Sequence, residues 1–168
     1  MKEQQGILLE SGTNAFEFME YCVGTHIYGI NVAKVSEVIN FVGITKLPNS
    51  HPWVDGVFSL RGKIMPLINL FKGLGIDDEG EFKIIVSELN NVLVGFKVSS
   101  ISSIHNISWA EVELPPNIAQ AQFINGVIKM ADQMIVLLDF EKILADVDLK
   151  SNKELSTAMT PPSSVAAA

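Results

Sequence analysis

The chain has 168 residues, of which 48% are apolar and 18% charged, a composition typical of a folded domain rather than a disordered one. Its net charge of -7 argues against non-specific binding to nucleic acid or to an anionic membrane, because both need a basic face. The single cysteine, Cys22, excludes an intrachain disulfide, and no apolar run reaches the roughly 18 residues of a membrane span. A cytoplasmic protein is therefore expected.

Short strands are predicted along most of the chain. The segments AFEFMEYCV and THIYGINV are rich in aromatic and β-branched residues and lie next to glycine, a pattern typical of strands. KIIVSELNNVLVGFKV predicts two strands joined at Leu89-Asn90-Asn91, and VIKMADQMIVLLDF predicts two strands joined at Ala131-Asp132. These elements predict an all-β fold with short helices, either a barrel or a sandwich.

Helical signals are weaker and occur in two segments. In INVAKVSEVIN, Val32, Val35 and Val38 recur at intervals of three residues, which is compatible with one or two helical turns. DFEKILADV predicts one short helix. Asp139 is the expected N-cap of that helix, because an aspartate oxygen can accept a hydrogen bond from the first turn.

The two ends of the chain differ in composition from its centre. Residues 1–14 form an N-terminal segment, and residues 147–168 form a polar tail. The tail contains STAMTPPSSVAAA, whose Pro, Ser and Ala content is typical of a linker. We interpret the tail as a linker cut from a longer chain or as a plain tail, and residues 15–146 as the domain.

The central region contains an internal repeat. Residues Gly56–Leu74 align with Gly126–Leu144 without a gap, and Tyr28–Val38 align with Val94–Ile104. The order of elements is the same in both copies, which indicates two similar β units, roughly 16–75 and 82–145. Because a small sheet cannot hide both faces unless it curls on itself, we expect two small barrels packed together. The sequence leaves open whether the copies exchange strands.

The repeat makes Arg61 a candidate binding residue. The first copy has Arg61-Gly62 at a hairpin turn where the second copy has Ala131-Asp132. If the fold required an arginine at this turn, the second copy would need one as well. Pro66 follows in the same hairpin and cannot donate a ladder hydrogen bond, so its strand is predicted to be at a sheet edge or bulged. An edge strand beside an exposed arginine is a typical partner surface.

The sequence offers no set of catalytic residues. His26, His51 and His105 share no spacing, and no cysteine or histidine pair has the spacing of a zinc site. Nucleophile-elbow, phosphate-loop and dinucleotide motifs are missing from the sequence. We therefore expect no catalytic site, no metal and no cofactor. The expected function is that of a binding or scaffold module rather than an enzyme.

Three segments in the same order carry a resemblance to a known family. YGINVAKVSEVI, LPNSHPWVDGVFSLRGKIMPLINL and INGVIKMADQMIVLLDFEKIL together resemble the CheW-like domain of bacterial chemotaxis. GILLESGTN followed by FEFMEYCVG is similar to the CheV branch of that family. The resemblance covers Leu8 to Asp146. It implies two SH3-like, five-stranded β-barrel subdomains packed together, and no catalysis.

The resemblance also implies partners. CheW-like domains are adaptors that couple chemoreceptors to the histidine kinase CheA. They bind the helical hairpin at the cytoplasmic tip of the receptor and the regulatory domain of the kinase. A cytoplasmic location beside membrane-proximal receptor arrays is therefore implied. CheV proteins normally carry a receiver domain after the CheW-like domain, and none is expected within this sequence.

The family's Leu-Arg-Gly turn is the most specific of the matched motifs. It falls on Leu60, Arg61 and Gly62, and Gly56 matches the glycine that precedes it. Ser59 stands where CheW proteins often have an asparagine. The resemblance implies that this hairpin contacts a partner.

A second matched segment lies upstream. Val35, Glu37 and Val38 fall where the family contributes to receptor and kinase contacts, whereas Asn69 replaces an acid that is common in the family. The partner-binding residues expected from the resemblance are Val35, Glu37, Val38, Gly56, Ser59, Leu60, Arg61 and Gly62.

Two other functions stay open from the residues alone. A small-ligand-binding barrel would need a pocket with converging polar groups, and the sequence does not indicate one. The chain could also be the regulatory domain of the kinase itself, which has the same fold. The CheV-like N-terminus and the linker-like tail argue against that second alternative.

Overall fold

The computed structural model describes residues 14–40, 42–115 and 122–148. The predictions made for the N-terminal segment before residue 14 and for the tail after residue 148 lie outside the described residues. The strands are β1 Ala15–Val23, β2 His26–Asn31, β3 Val35–Ile39, β4 Val54–Leu60, β5 Lys63–Asn69, β6 Lys83–Leu89, β7 Val92–Val98, β8 Ser100–Ser108, β9 Val112–Glu113, β10 Ile124–Met130 and β11 Gln133–Leu138. The α-helices are α1 Leu70–Leu74 and α2 over 140–148.

The strands form two SH3-like barrels, which confirms the predicted fold class. The first barrel is a five-stranded sheet in the order β3-β6-β7-β5-β4, and the second is a six-stranded sheet in the order β8-β1-β2-β11-β10-β9. Each barrel includes a hairpin from the other half of the chain: β6–β7 in the first barrel and β1–β2 in the second. Neither half of the chain can therefore complete its own barrel.

The internal repeat explains why the two sheets have the same strand order. Aligned by the repeat, β3 corresponds to β8, β6 to β1, β7 to β2, β5 to β11 and β4 to β10. Substituting each strand by its counterpart turns the order of the first sheet into that of the second, apart from the two-residue strand β9. In the first barrel an isolated bridge between Thr45 and Val57 takes the place of β9.

Gly56 on β4 and Gly126 on β10 occupy corresponding positions, and both allow another chain segment to approach the strand closely. A Cβ atom on Gly56 would lie 2.2 Å from the carbonyl oxygen of Thr45, and one on Gly126 would lie 2.3 Å from Cγ1 of Val112. Gly56 also has a φ of +150°, a conformation that side-chain-bearing residues rarely adopt. The two glycines are therefore required because Thr45 pairs beside Gly56 on β4 and strand β9 pairs beside Gly126 on β10, where a larger residue would clash.

Most of the predicted elements are confirmed, including both hairpins and helix α2. Asn90 and Asn91 have positive φ values of 51° and 66° at the turn between β6 and β7. At the start of α2, the backbone N–H of Lys142 donates to Oδ1 of Asp139 at 3.0 Å, as expected of an N-cap.

One prediction holds only in part and another is wrong. The helical turns compatible with INVAKVSEVIN reduce to one 3-10 turn at Val32–Lys34, and Val35–Ile39 is strand β3. Burial in β3 alternates residue by residue, so the three-residue valine spacing does not mark a helix. The strand that carries Pro66 is not at an edge either, because β5 lies between β7 and β4. Pro66 pairs with Val57 just before the β5–β7 pairing begins at Leu67, and no register shift is recorded at that pair.

The largest hydrophobic cluster lies between the barrels. It contains fully buried residues from both sheets and both α-helices, among them Tyr21, Phe71, Phe96 and Phe140. The rings of Phe96 and Phe140 stack with centroids 3.9 Å apart. A smaller cluster fills each barrel, around Phe58 in the first and around Phe18 in the second. The shared cluster holds the barrels side by side and leaves their hairpin turns in solvent.

Candidate functional site: a charged pair at the end of the first barrel

Arg61 occupies the turn between β4 and β5. It has a φ of 51°, and Gly62 after it has a φ of 82°. Ala131, which occupies the corresponding turn of the second barrel, also has a φ of 51°. The backbone geometry therefore recurs in both barrels while the arginine side chain does not, and the turn itself does not need an arginine.

The Arg61 side chain forms a two-pronged ion pair with Glu37. Nη1 donates to Oε2 of Glu37 at 2.6 Å, and Nη2 donates to Oε1 at 3.0 Å. Glu37 lies on β3, so the pair links the turn at the end of edge strand β4 to the opposite edge of the sheet. The parallel fork of a guanidinium matches both oxygens of a carboxylate, which fixes the direction of both side chains.

Both members of the pair are charged at neutral pH. The hydrogen bond from Arg61 lowers the pKa of Glu37, and the hydrogen bond to Glu37 raises the pKa of Arg61. The Arg61 side chain is nevertheless 70% exposed. An exposed pair contributes little to folding stability, because water screens it on most sides. The pair instead positions a guanidinium whose remaining donors point to solvent.

Two apolar side chains near Glu37 and Arg61 in the sequence are exposed. Val38, next to Glu37 on β3, is exposed, and Ile64 on β5 is 74% exposed. Ile64 lies directly across the hairpin from Ser59, which is also exposed. We call Glu37, Val38, Arg61 and Ile64 the first-barrel surface. It combines one exposed cation with exposed aliphatic groups, as partner-binding surfaces often do.

The remaining predicted residues lie in the hairpin turn or in the packing of the barrels. Gly62 is exposed in the turn, and Leu60 is half-buried against the cluster inside the first barrel. Val35 is half-buried against the cluster between the barrels, and Gly56 is buried beneath Thr45. The structure thus brings Glu37 and Arg61 into contact, whereas Gly56 and Val35 pack within the fold.

The sequence reasoning missed Ile64. The signal that could have found it is the alternation along β5, in which Met65 and Leu67 face the barrel interior and Ile64 faces away. The same alternation exposes Met134, the counterpart of Ile64, in the second barrel.

A buried polar network lies at the end of strand β5, where helix α1 begins. Nδ2 of the fully buried Asn69 donates to Oδ2 of Asp55 at 3.0 Å and to Oδ2 of Asp78 at 2.9 Å. Burial raises the pKa of Asp78, but hydrogen bonds from Lys97 and Asn69 outweigh it and lower that pKa overall. An acid at position 69 would face two carboxylates, which explains why this chain has an asparagine there.

Within the described residues, no group of three or more His, Cys, Asp or Glu side chains is placed to hold a metal ion. None of the helices in that part of the chain is long and apolar enough to cross a membrane.

Two SH3-like barrels packed together are the fold that the sequence resemblance implies. Residues 17–148 match the family model of the CheW-like domain, and the chain belongs to that family. This confirms the resemblance seen in the sequence.

Similar proteins have been named in several bacteria. Chemotaxis protein CheV3 of Helicobacter pylori is 40% identical in an alignment of length 142 that covers 79% of this chain and 45% of that protein. Chemotaxis protein CheW of Thermotoga maritima is 32% identical in an alignment of length 146 that covers 84% of this chain and 96% of that protein. The chain thus spans less than half of the CheV3 relative and nearly all of the CheW relative.

A solved structure has the same fold. The scaffolding protein TtCheW from Thermoanaerobacter tengcongensis superposes with a TM-score of 0.69 at 30% sequence identity, over 73% of this chain and 88% of that one. These similar proteins give no support to a small-ligand-binding barrel or to a kinase regulatory domain.

Proposed function

We propose that this chain is a chemotaxis adaptor that couples a chemoreceptor to the histidine kinase CheA by protein–protein binding. Membership of the CheW-like family supports the proposal, as do the chemotaxis and scaffolding proteins to which the chain is similar. In this role the chain has no catalytic activity of its own and associates with the cytoplasmic side of receptor arrays.

The observation that carries the proposal is the first-barrel surface. The Glu37–Arg61 pair is formed at the end of one barrel only, since Ser103 and Ala131 stand at the corresponding positions of the other. A feature that the shared fold does not need is a candidate for recognition. Arginine is enriched among the residues that dominate binding energy, because its fork pairs with acceptors while its stem packs on apolar groups.

Both partners offer chemistry that suits this surface. A receptor tip is a helical hairpin, and a helix can place apolar side chains against Val38 and Ile64 while an acid or carbonyl group pairs with Arg61. The regulatory domain of the kinase would present a barrel edge instead. Either contact would be small and reversible, as adaptor exchange requires.

Separate binding measurements with each partner test the proposal. We expect Arg61→Ala to weaken binding to the receptor tip, to the kinase regulatory domain, or to both by at least about tenfold. Lys142→Ala, which removes the same charge from helix α2, should bind both partners as the unchanged chain does. Unaltered binding of Arg61→Ala to both partners would remove the first-barrel surface from the proposal.

A further inference from the structure

Each barrel has a pocket at the same place. The pocket of the first barrel has a volume of about 370 Å³ and that of the second about 270 Å³. We call them the first and second pockets. Five of their lining positions correspond in the repeat: Phe82 and Phe16, Lys97 and Asn31, Asp55 and Asn125, Leu67 and Leu137, Asn69 and Asp139.

A cation of the chain itself lines the first pocket. Nζ of Lys97 lies 2.7 Å from Oδ2 of Asp78 and 3.7 Å from Oδ2 of Asp55. The same ammonium lies 4.4 Å from the centre of the Phe82 ring. Carboxylates and an aromatic face together are an arrangement that stabilises a cation. In the first pocket, two carboxylates and one aromatic ring thus stabilise a cation of the chain itself.

The second pocket has Phe16 in place of Phe82 and an acid, Asp139, in place of Asn69, but it has Asn125 in place of Asp55 and no lysine at the position of Lys97. Asn31 stands in place of Lys97, and Oδ1 of Asp139 accepts only from the backbone N–H of Lys142. Among the described residues no lysine or arginine pairs with Asp139, and the Asn125 side chain has no hydrogen bond there. Lys34 also lines this pocket, but its Nζ is taken by Oε2 of Glu141 at 2.7 Å.

An exposed tryptophan forms one wall of the second pocket. The Trp109 indole stacks on the Phe16 ring with centroids 3.9 Å apart and planes tilted by 17°. The backbone N–H of Trp109 donates to the carbonyl oxygen of Asn14 at 2.8 Å, which fixes the wall to the start of β1. Trp109 is nevertheless 49% exposed, an unusual state for so large an apolar side chain.

We propose that the second pocket receives an arginine side chain of a partner protein, whose guanidinium pairs with Asp139 and stacks on Trp109. A guanidinium suits the pocket better than an ammonium, because it is planar and can donate to Asp139 and Asn125 at once. The volume of about 270 Å³ lies below the roughly 300–1,000 Å³ of metabolite pockets, which favours a single side chain.

Charge and position support the same assignment. The second pocket has two acids, Asp139 and Glu141, and one lysine, Lys34, and the whole chain has a net charge of -7. A basic partner is therefore attracted to it. The pocket is lined mainly by the second barrel and includes neither Glu37 nor Arg61, so the proposal does not depend on the first-barrel surface, and either can fail without the other.

Nuclear magnetic resonance titration with a blocked Gly-Arg-Gly tripeptide tests the proposal on the full chain. We expect saturable shifts of the Trp109 indole N–H and of the Asn125 side-chain amide, with a dissociation constant in the millimolar range for so small a ligand. The indole signal of Trp53 should not move, and the Trp53→Phe variant assigns the two indoles. The same tripeptide with neutral citrulline should bind at least about tenfold more weakly.

Two variants separate the pocket from general charge effects. Asp139→Asn should weaken tripeptide binding at least about tenfold and still fold, because asparagine caps helices well and Asn69 already does so in the first barrel. Asp132→Asn, which removes one exposed charge from the turn between β10 and β11, should bind as the unchanged chain does. Equal binding of the citrulline peptide, equal binding by Asp139→Asn, or no saturable shift of Trp109 would overturn the proposal.

Discussion

The two barrels share a strand order and differ in the side chains they present and enclose. The first barrel has the Glu37–Arg61 ion pair, whereas Ser103 and Ala131 stand at the corresponding positions of the second. The exposed aliphatic residues Val38 and Ile64 correspond to the exposed Ile104 and Met134. The first barrel holds a lysine in its pocket, and the second has an asparagine there.

The interior differs as well. The second barrel contains a histidine–carboxylate contact, His105 Nε2 to Glu20 Oε1 at 2.6 Å, where the first has Ile39 and Val86. The features that both copies retain, such as Gly56 and Gly126, are those that strand closure requires. The exposed features that only one copy has, such as the Glu37–Arg61 pair, are free to serve recognition, and substitutions that compare the copies can separate these two groups.

The largest expected effect is on closure of the first barrel. Gly56→Ala places a Cβ atom against the Thr45 backbone at a φ of +150°, so we expect the free energy of unfolding to fall by at least about 3 kcal/mol. Gly62→Ala is the matched control, since its φ is +82° but nothing lies within 4 Å of the added atom, and it should cost about 1 kcal/mol. Urea unfolding measures both. Equal losses would show that the close approach does not matter.

The next largest effect on stability is expected when the N-cap residues Asn69 and Asp139 are each replaced by the residue type of the other. Asn69→Asp puts a third carboxylate beside Asp55 and Asp78 and removes the amide that donates to both, so it should destabilise the chain by about 2–3 kcal/mol at pH 7. The converse change, Asp139→Asn, meets no such pair of acids and should cost less than about 1 kcal/mol.

The pH dependence of Asn69→Asp checks the cause. Because the repulsion needs ionised carboxylates, the difference from the unchanged chain should shrink as the pH falls toward 4. A difference that stays constant with pH would point to lost packing rather than to charge.

The smallest effect concerns two hydroxyl groups at corresponding positions between the barrels. Tyr21 on β1 and Ser87 on β6 are buried, and neither hydroxyl has a hydrogen-bond partner among the described residues. Tyr21→Phe should therefore stabilise the chain by about 1 kcal/mol at pH 7, and Ser87→Ala should act in the same direction.

Alkaline pH separates these two hydroxyls. Burial, with a further contribution from Tyr28, raises the pKa of Tyr21 well above 10.0. The stability tied to neutral Tyr21 is thus fully present below pH 10 and is lost as the pH rises through the folded-state pKa, because the unfolded chain ionises first. The advantage of Tyr21→Phe in unfolding experiments should grow above pH 10, whereas that of Ser87→Ala should not. A destabilised Tyr21→Phe would contradict the account.

Local chemistry made much of the fold predictable. The Asn90-Asn91 turn and the Asp139 cap follow from residues that adopt positive φ or accept a first-turn hydrogen bond. The exchange of hairpins did not follow, because alternation along a strand identifies its two faces but not its neighbours. The strand of Pro66 was wrongly predicted for the same reason. Proline lacks a backbone N–H, but it fits an interior strand here because the pairing of β5 with β7 begins only at Leu67, one residue later.

Part of the candidate site could be predicted from the sequence. The repeat singled out Arg61 because its counterpart is Ala131, and the family resemblance added Glu37. That these two side chains touch could not be predicted, since they come from strands at opposite edges of one sheet. The Lys97–Asp78 contact, which gives the second pocket its interpretation, likewise depends on chain segments that only the fold brings together.

Kinase activation in a reconstituted mixture of receptor, CheA and this chain tests the central claim most directly. The account predicts that Arg61→Ala activates CheA at least about tenfold less than the unchanged chain, with the same unfolding midpoint, while Asp132→Ala in the second-barrel turn activates normally. Normal activation by a folded Arg61→Ala chain would contradict the account.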